Sequence, residues 1–272
     1  MRLKKLLVLI TSLVLVLSAS SVYADQKKTI VVPTDSDTKP FTYKENGKFK
    51  GYDIDVVKAI FKDSKRYKVT FKTVPFSSIL TGVDAGRYQL AANDFNYNEE
   101  RAEKYLFSEP ISKSNYAIAA KKGTSFDSLE AVSGKSVEVY SGSNYAQILE
   151  NWNEKHSDKK PIAIRYVANT VTLPQRLQNI ENGKVDFLIY DAISLKTVIA
   201  DQDLSLDVTD VEDKLGTDKD GLEYLLLPKD EEGEALQTYV DKRIKILQEN
   251  GTLSKLSQKH FGGDFSTTSD KQ

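Results

Sequence analysis

Arg101 lies within one helical turn of Asn98, at the end of a helix where the dipole favours anions and disfavours cations. A guanidinium there is offset by a bound anion, and its planar fork matches a carboxylate through two parallel hydrogen bonds. The alternative is a surface pairing with Glu100 or Glu103, worth under about 1 kcal/mol. A second anion site is offered by Ser141-Gly142-Ser143-Asn144, a turn joining a strand to a helix start. Free backbone N–H groups and the positive dipole end point the same way there, and Gly142 permits a close approach. No Lys-Ser or Lys-Thr ending follows, so a carboxylate fits better than a triphosphate. An ordinary turn with a serine cap is the simpler alternative. Asp191, between a strand and a helix, could cap that helix, receive an ammonium group, or do both. An α-amino acid needs one cationic and one anionic partner a fixed distance apart. Arg101 with the helix start at Ser143, and Asp191, would supply that pair.

The elements that must position these groups are announced by a repeat. Leu80, Val83, Gly86 and Arg87 lead to Asp94, and Leu177, Ile180, Gly183 and Lys184 lead to Asp191 at matching offsets. In each copy a helix ends at a glycine, where a residue without a side chain enters the left-handed region cheaply. A short apolar run typical of a buried parallel strand follows. Each copy thus delivers a polar cluster to the carboxyl end of a strand, where open α/β sheets bind ligands. The two aspartates are 97 residues apart, about the span of one lobe. The expected fold is therefore α/β, two similar lobes facing a shared cleft, although any helix–glycine–strand unit has this look. Further strands are expected at Thr29–Pro33, Tyr67–Phe71, Tyr116–Ala120 (crossing between lobes), Ser136–Tyr140, Ile162–Val167 and Leu222–Leu227. Helices are expected at Val56–Phe61, Ser77–Ala85, Phe126–Val132, Tyr145–Trp152, Ala235–Leu247 and Leu253–Phe261. Strands alternating with helices predict parallel sheets.

The chain has 272 residues, 38 basic against 39 acidic, and no cysteine. Balanced charge gives no field that would gather nucleic acid. Arg2, Lys4 and Lys5, an apolar stretch from Leu6 to Leu17 and Val22-Tyr23-Ala24 form an export signal over residues 1–24. An uncleaved anchor is the alternative, though the stretch is short for a membrane span. The missing cysteines exclude a lipidated cysteine after the signal, thiol catalysis and thiolate metal sites, and leave no disulfide. The expected location is extracellular, cell-surface or periplasmic.

These elements resemble the polar amino-acid family of substrate-binding proteins of ABC importers, family 3, over nearly all of the mature sequence. The likeness is carried by Lys39-Pro40-Phe41, Gly51-Tyr52-Asp53-Ile54-Asp55, and Glu100-Arg101 ahead of Phe107-Ser108-Glu109-Pro110. It continues through Gly134-Lys135-Ser136-Val137, Ser141-Gly142-Ser143, Asn182-Gly183-Lys184-Val185-Asp186 with Asp191, and Asn250-Gly251-Thr252-Leu253. The resemblance implies a two-lobe periplasmic-binding-protein-like (type II) fold with two crossover segments. Residues 25–112 with 220–265 would form lobe I, 113–219 lobe II and 266–272 a polar tail. It implies that Arg101 grips the α-carboxylate of an amino acid, helped by Ser143, that Asp191 takes the α-amino group, and that Phe41 and Phe76 sandwich the side chain. Asn144 and Tyr145 follow on the same turn.

The chain departs from the family where small hydroxyl residues usually precede the arginine: here stand Asn93, Asp94 and Asn96, with Asn98 in place of a threonine. Asp94 either bonds local backbone or adds a second carboxylate, suited to cystine or a basic amino acid. The run from Asn96 to Ser108 resembles the cystine-type members most. The implied role is capture of an L-amino acid, cystine favoured, by a monomer that delivers it to ABC permease subunits, with no cofactor and no metal. A dehydratase-like enzyme of the same fold is the first alternative. It would need a tuned acid or base, and the only histidines, His156 and His260, lie away from the cleft motifs. A surface interaction protein is the second.

Overall fold

The computed structural model describes residues 26–212, 215 and 219–266; the expected export signal, most of the polar tail and Thr217 at the second expected crossover fall outside them. In chain order, β1 (Lys28–Thr34) leads to a small antiparallel sheet of β2 (Asp37–Thr38), β3 (Thr42–Glu45) and β4 (Lys48–Lys50). Helix α1 (Tyr52–Phe61), β5 (Tyr67–Thr73), α2 (Phe76–Asp84), β6 (Ala91–Asn96), α3 (Glu99–Lys104), β7 (Tyr105–Phe107) and β8 (Ser112–Lys113) follow. The second body holds β9 (Tyr116–Lys121), β10 (Ser136–Val139), α4 (Asn144–Lys155), β11 (Ala163–Tyr166), α5 (Leu173–Glu181), β12 (Phe187–Asp191), α6 (Ala192–Asp201) and β13 (Leu206–Asp210). The chain then returns through β14 (Leu222–Pro228), α7 (Glu231–Glu249) and α8 (Thr252–Phe261).

The repeated phrase builds the same corner twice. Gly86 and Gly183 both adopt positive φ, 69° and 71°. The amide of Gly86 donates to Val83 and that of Arg87 to Gly82, while Gly183 donates to Ile180 and Lys184 to Asn179. In each case these bonds close the carbonyls left open at the helix end. The strands that follow differ in pairing. β12 runs parallel to β10 but antiparallel to β9, and β6 pairs antiparallel with β14. The five-stranded sheet is therefore mixed and the β6-β14-β7 sheet wholly antiparallel, because β9 and β14 enter their sheets directly from the crossover segments and not over a helix. Among the described residues only β1 and β5 form a purely parallel sheet. β9 is the fourth strand of the five-stranded sheet β11-β10-β12-β9-β13 and does not itself cross between lobes. Residues 129–132 form turns where a helix over 126–132 was expected, and β13 is a strand the sequence reading did not include.

Two lobes result. One apolar core is drawn from residues between Tyr116 and Leu206; another joins Ile30, Val32, Val56, Leu90 and Ile111 to Leu225, Leu227, Val240 and Leu253. A third cluster, with Ile79, Phe95 and Leu226, packs under α2.

Phe41 requires a correction. It does not sandwich a ligand but is 1% exposed in the core of lobe I, its ring 4.9 Å from that of Phe261. The cause is the start of α1, whose first amides take the carbonyls of Pro40 (from Tyr52, 3.0 Å) and Phe41 (from Asp53, 3.1 Å). Serving as backbone caps, Pro40 and Phe41 lie flat against the helix and the ring turns inward. Gly51 makes this approach possible: its φ is 117°, and a Cβ there would lie 2.1 Å from the Phe41 carbonyl oxygen. Gly51→Ala is expected to destabilise the fold by roughly 3 kcal/mol or more, combining backbone strain with a clash against backbone. Gly47→Ala, at φ 73° with nothing within 4 Å, should cost only about 1 kcal/mol. Urea melts of the two variants measure the difference.

Candidate functional site

A small cavity of about 30 Å³ lies between the lobes. It is lined by Phe76, Asn93, Asp94, Asn96 and Arg101 from the first lobe and by Ser143, Asn144 and Tyr145 from the second. Asp35, Val139, Tyr140, Arg176 and Tyr190 complete the wall. The lobes touch around it: Phe76 stacks on Tyr140 at 6.1 Å, Asn169 donates to Ser77 at 3.0 Å, and Lys39 pairs with Asp201. The cleft is closed in this structure.

Arg101 is 6% exposed, so the surface pairing with Glu100 or Glu103 does not occur; Glu100 pairs with Lys104 instead. Asn98 caps α3 by accepting from the Arg101 amide at 2.8 Å. The guanidinium folds back over the Phe95 ring, donating to the Asn96 carbonyl at 2.8 Å and across the cleft to the Gly142 carbonyl at 3.3 Å. Neither partner is charged, and no carboxylate lies within salt-bridge distance among the described residues. Burial lowers its pKa to about 10, which leaves it cationic at neutral pH.

Asp94 reaches the cavity through a bulge. Tyr224 of β14 pairs with Phe95 but Leu226 pairs with Ala91, so two extra residues stand in β6 between them. Asp94 occupies the bulge at φ 50°, and its amide leaves the ladder to donate to Asp53 at 3.0 Å. A bulge of this kind re-aims a side chain. The Asp94 carboxylate makes no hydrogen bond among the described residues, so the local-backbone alternative is not seen. Burial first, then the charges of Asp191 and Asp53, raise its pKa well above the ordinary carboxylate range.

Asp191 is buried and is not on the cavity wall; its Oδ1 accepts from the Ser194 amide at 2.7 Å, capping α6. Burial raises its pKa to about 6 against the lowering effect of its hydrogen bonds to Ser114 and Ser194. Ser143 likewise caps α4 through the Ala146 amide at 3.1 Å. Asn144 donates to the Tyr116 hydroxyl at 2.8 Å. Asn93 lines the cavity, but its amide is spent on Thr34, Asp35, Thr38 and Thr42, holding the turn after β1.

Arg176 was missed by the sequence reading, as were Asp35 and Tyr140. The signal was present: Leu173, Arg176, Leu177 and Ile180 follow the i, i+3, i+4, i+7 spacing of the buried face of α5. A basic residue at such a position needs a reason. Arg176 is 2% exposed and packs over the rings of Tyr140 (4.2 Å) and Tyr190 (5.4 Å). Both histidines stand elsewhere, His156 stacked on Trp152 and His260 bonded to Asp55.

Below the cavity, Asp53 and Glu223 are fully buried side by side, and Glu223 also takes the Ser112 hydroxyl. Asp53 Oδ1 and Glu223 Oε1 have no other partner. A single proton between the two oxygens satisfies both, and burial raises both pKa values. Glu223 pairs with Ser112 across β14 and β8, where the chain passes between lobes. A raised carboxyl pKa means the folded state holds a proton that the unfolded chain releases above about pH 4.5. Stability from this group is therefore full below that pH and falls as pH rises. Glu223→Gln should remove the fall, so that urea melts at pH 5 and pH 8 show wild type losing stability relative to the variant.

The model of bacterial extracellular solute-binding proteins, family 3, matches residues 30–263. The chain is 31% identical over 273 residues to the "Probable amino-acid-binding protein YxeM" of Bacillus subtilis, covering 97% of this chain and 98% of that protein. It is 31% identical to the "L-cystine-binding protein TcyJ" of the same organism, covering 90% and 88%. A solved chain from work on glutathione import via GshT and the cystine ABC importer TcyBC of Streptococcus mutans superposes with TM-score 0.82 at 34% identity. It covers 89% of this chain and 98% of its own.

Proposed function

The chain belongs to the bacterial extracellular solute-binding proteins, family 3, and on that premise we propose that it captures an L-amino acid, with cystine favoured, and delivers it to an ABC permease. The observation that carries this reading is Arg101, a buried cation in a closed inter-lobe cavity whose hydrogen-bond partners are two neutral carbonyls. A ligand α-carboxylate would replace the Gly142 carbonyl as its partner, beside the Ser143 turn. Asp94 and Asp191, whose mutual repulsion raises the Asp94 pKa, would meet the ammonium groups. Cystine carries two of these, which uses both carboxylates. Phe76, Tyr145 and Tyr190 supply flat apolar walls for the linking atoms.

Closure follows as a population shift. Bonds from one lobe through Arg101 and from the other through Ser143 exist together only in the closed form, so a ligand that makes both favours it. The closed pair of lobes is then the surface a permease would read. Curated relatives are named as binding proteins, and neither histidine reaches the cavity, which favours capture over the dehydratase-like reading.

In a thermal-shift screen of the common amino acids, cystine and glutathione, the ligand at one hundred times its Kd should stabilise by about 2.7 kcal/mol, a rise of several degrees. Arg101→Ala should weaken that ligand by roughly 2–5 kcal/mol in calorimetry. Asp191→Asn, which keeps the helix cap, should weaken it comparably; wild-type affinity in both variants refutes the reading. Because Asp191 must be ionised to hold an ammonium, Kd should rise as pH falls through about 6, by about tenfold per unit if one proton is linked. Titrations at pH 5, 6 and 7.5 measure that slope.

A further inference from the structure

Arg176 is used by nothing so far described. Its guanidinium is buried, and its Nε and Nη2 atoms have no hydrogen-bond partner, although it lines the same cavity as Arg101. No carboxylate lies within salt-bridge distance of it among the described residues. Its neighbours are the faces of Tyr140 and Tyr190, which favour the cation and leave Nε and Nη2 unused. Two adjacent donors of one guanidinium, Nε and one terminal nitrogen, form one edge of the fork that binds a carboxylate through two parallel hydrogen bonds. A buried donor left unmet costs its desolvation without return, and here two are unmet on one planar edge.

We propose that Arg176 binds a second carboxylate of the ligand, so that the site selects compounds with an amino-acid group at one end and a further carboxylate at the other. This rests on the capture reading above and narrows it. Arg101, on α3 of the first lobe, holds one carboxylate, and Arg176, on α5 of the second, holds the other. The two ends are then gripped by different lobes, and a ligand lacking the distal carboxylate leaves the second grip empty. Cystine and glutathione both have the required pair of carboxylates, and they differ at the distal amino group.

Calorimetry on the full mature protein tests this with ligand pairs that differ in one group. Cystine is compared with S-(2-aminoethylthio)-L-cysteine, the mixed disulfide with cysteamine, which keeps the disulfide and the distal amino group but lacks the distal carboxylate, and glutathione with its glycine amide. Wild type should bind the dicarboxylate of the productive pair at least about 20-fold more tightly, the factor expected when a buried charge loses its partner. Which pair responds identifies the source. Arg176→Gln should abolish that preference by weakening the dicarboxylate far more than the truncated analogue. Equal wild-type affinity for both members overturns the assignment without needing any variant. So does a variant that weakens both members equally. If wild type binds a single-carboxylate amino acid tightly and ignores Arg176, the capture reading stands and this one falls. If no amino-acid compound binds at all, both fall.

Discussion

Charge buried without an internal partner is the constraint on which this molecule turns. Desolvating an ion costs several kcal/mol, and proteins ordinarily repay it by pairing. Here Arg101, Arg176, Asp94 and Asp191 are brought into or beside one small cavity that Asp35 also lines, yet none of the four is salt-bridged to another. Arg101 makes do with carbonyls, Arg176 with ring faces, Asp191 with a helix start, and Asp94 with its raised pKa. Such an arrangement spends stability to hold its charges apart, and a ligand carrying the opposite pattern would recover it.

The rest of the architecture keeps the four groups from collapsing onto each other. Arg101 is anchored by the Asn98 cap and by the Phe95 ring beneath it. Asp94 is fixed by a bulge whose displaced amide is caught by Asp53, itself locked to Glu223 through a shared proton. Asn93 uses every polar atom of its side chain to hold the turn that carries Asp35. A buried network of this kind is rigid when every member is satisfied. Its chain of contacts runs from the cavity floor to β8 and β14, so the geometry of the site and of the passage between lobes rest on the same carboxyl pair.

Much of this was legible in the residues. The twin helix–glycine–strand corners, the Asn98 and Ser143 caps and the placement of Arg101 in a first turn all rest on local chemistry, within about four residues of chain. Local hydrogen bonding decides those features, so spacing reports them faithfully. Strand direction was not legible. Whether β9 or β14 runs with or against its neighbours depends on which distant strand it meets, and a short apolar run looks the same either way.

The division is clearest at three residues. For Arg101, the sequence placed a cation against the dipole and left a bound anion and a surface pairing with Glu100 or Glu103 both open; burial in the fold removed the second. For Phe41, the sequence supplied an aromatic beside a polar turn, and the fold turned its ring into the core because α1 needed the neighbouring carbonyls. For Arg176, the heptad-like spacing marked a buried cation, but only the closure of two lobes shows what it faces. Backbone chemistry is written along the chain. The meeting of charges 75 or more residues apart, as Arg101 and Arg176 are, exists only once packing has brought them together.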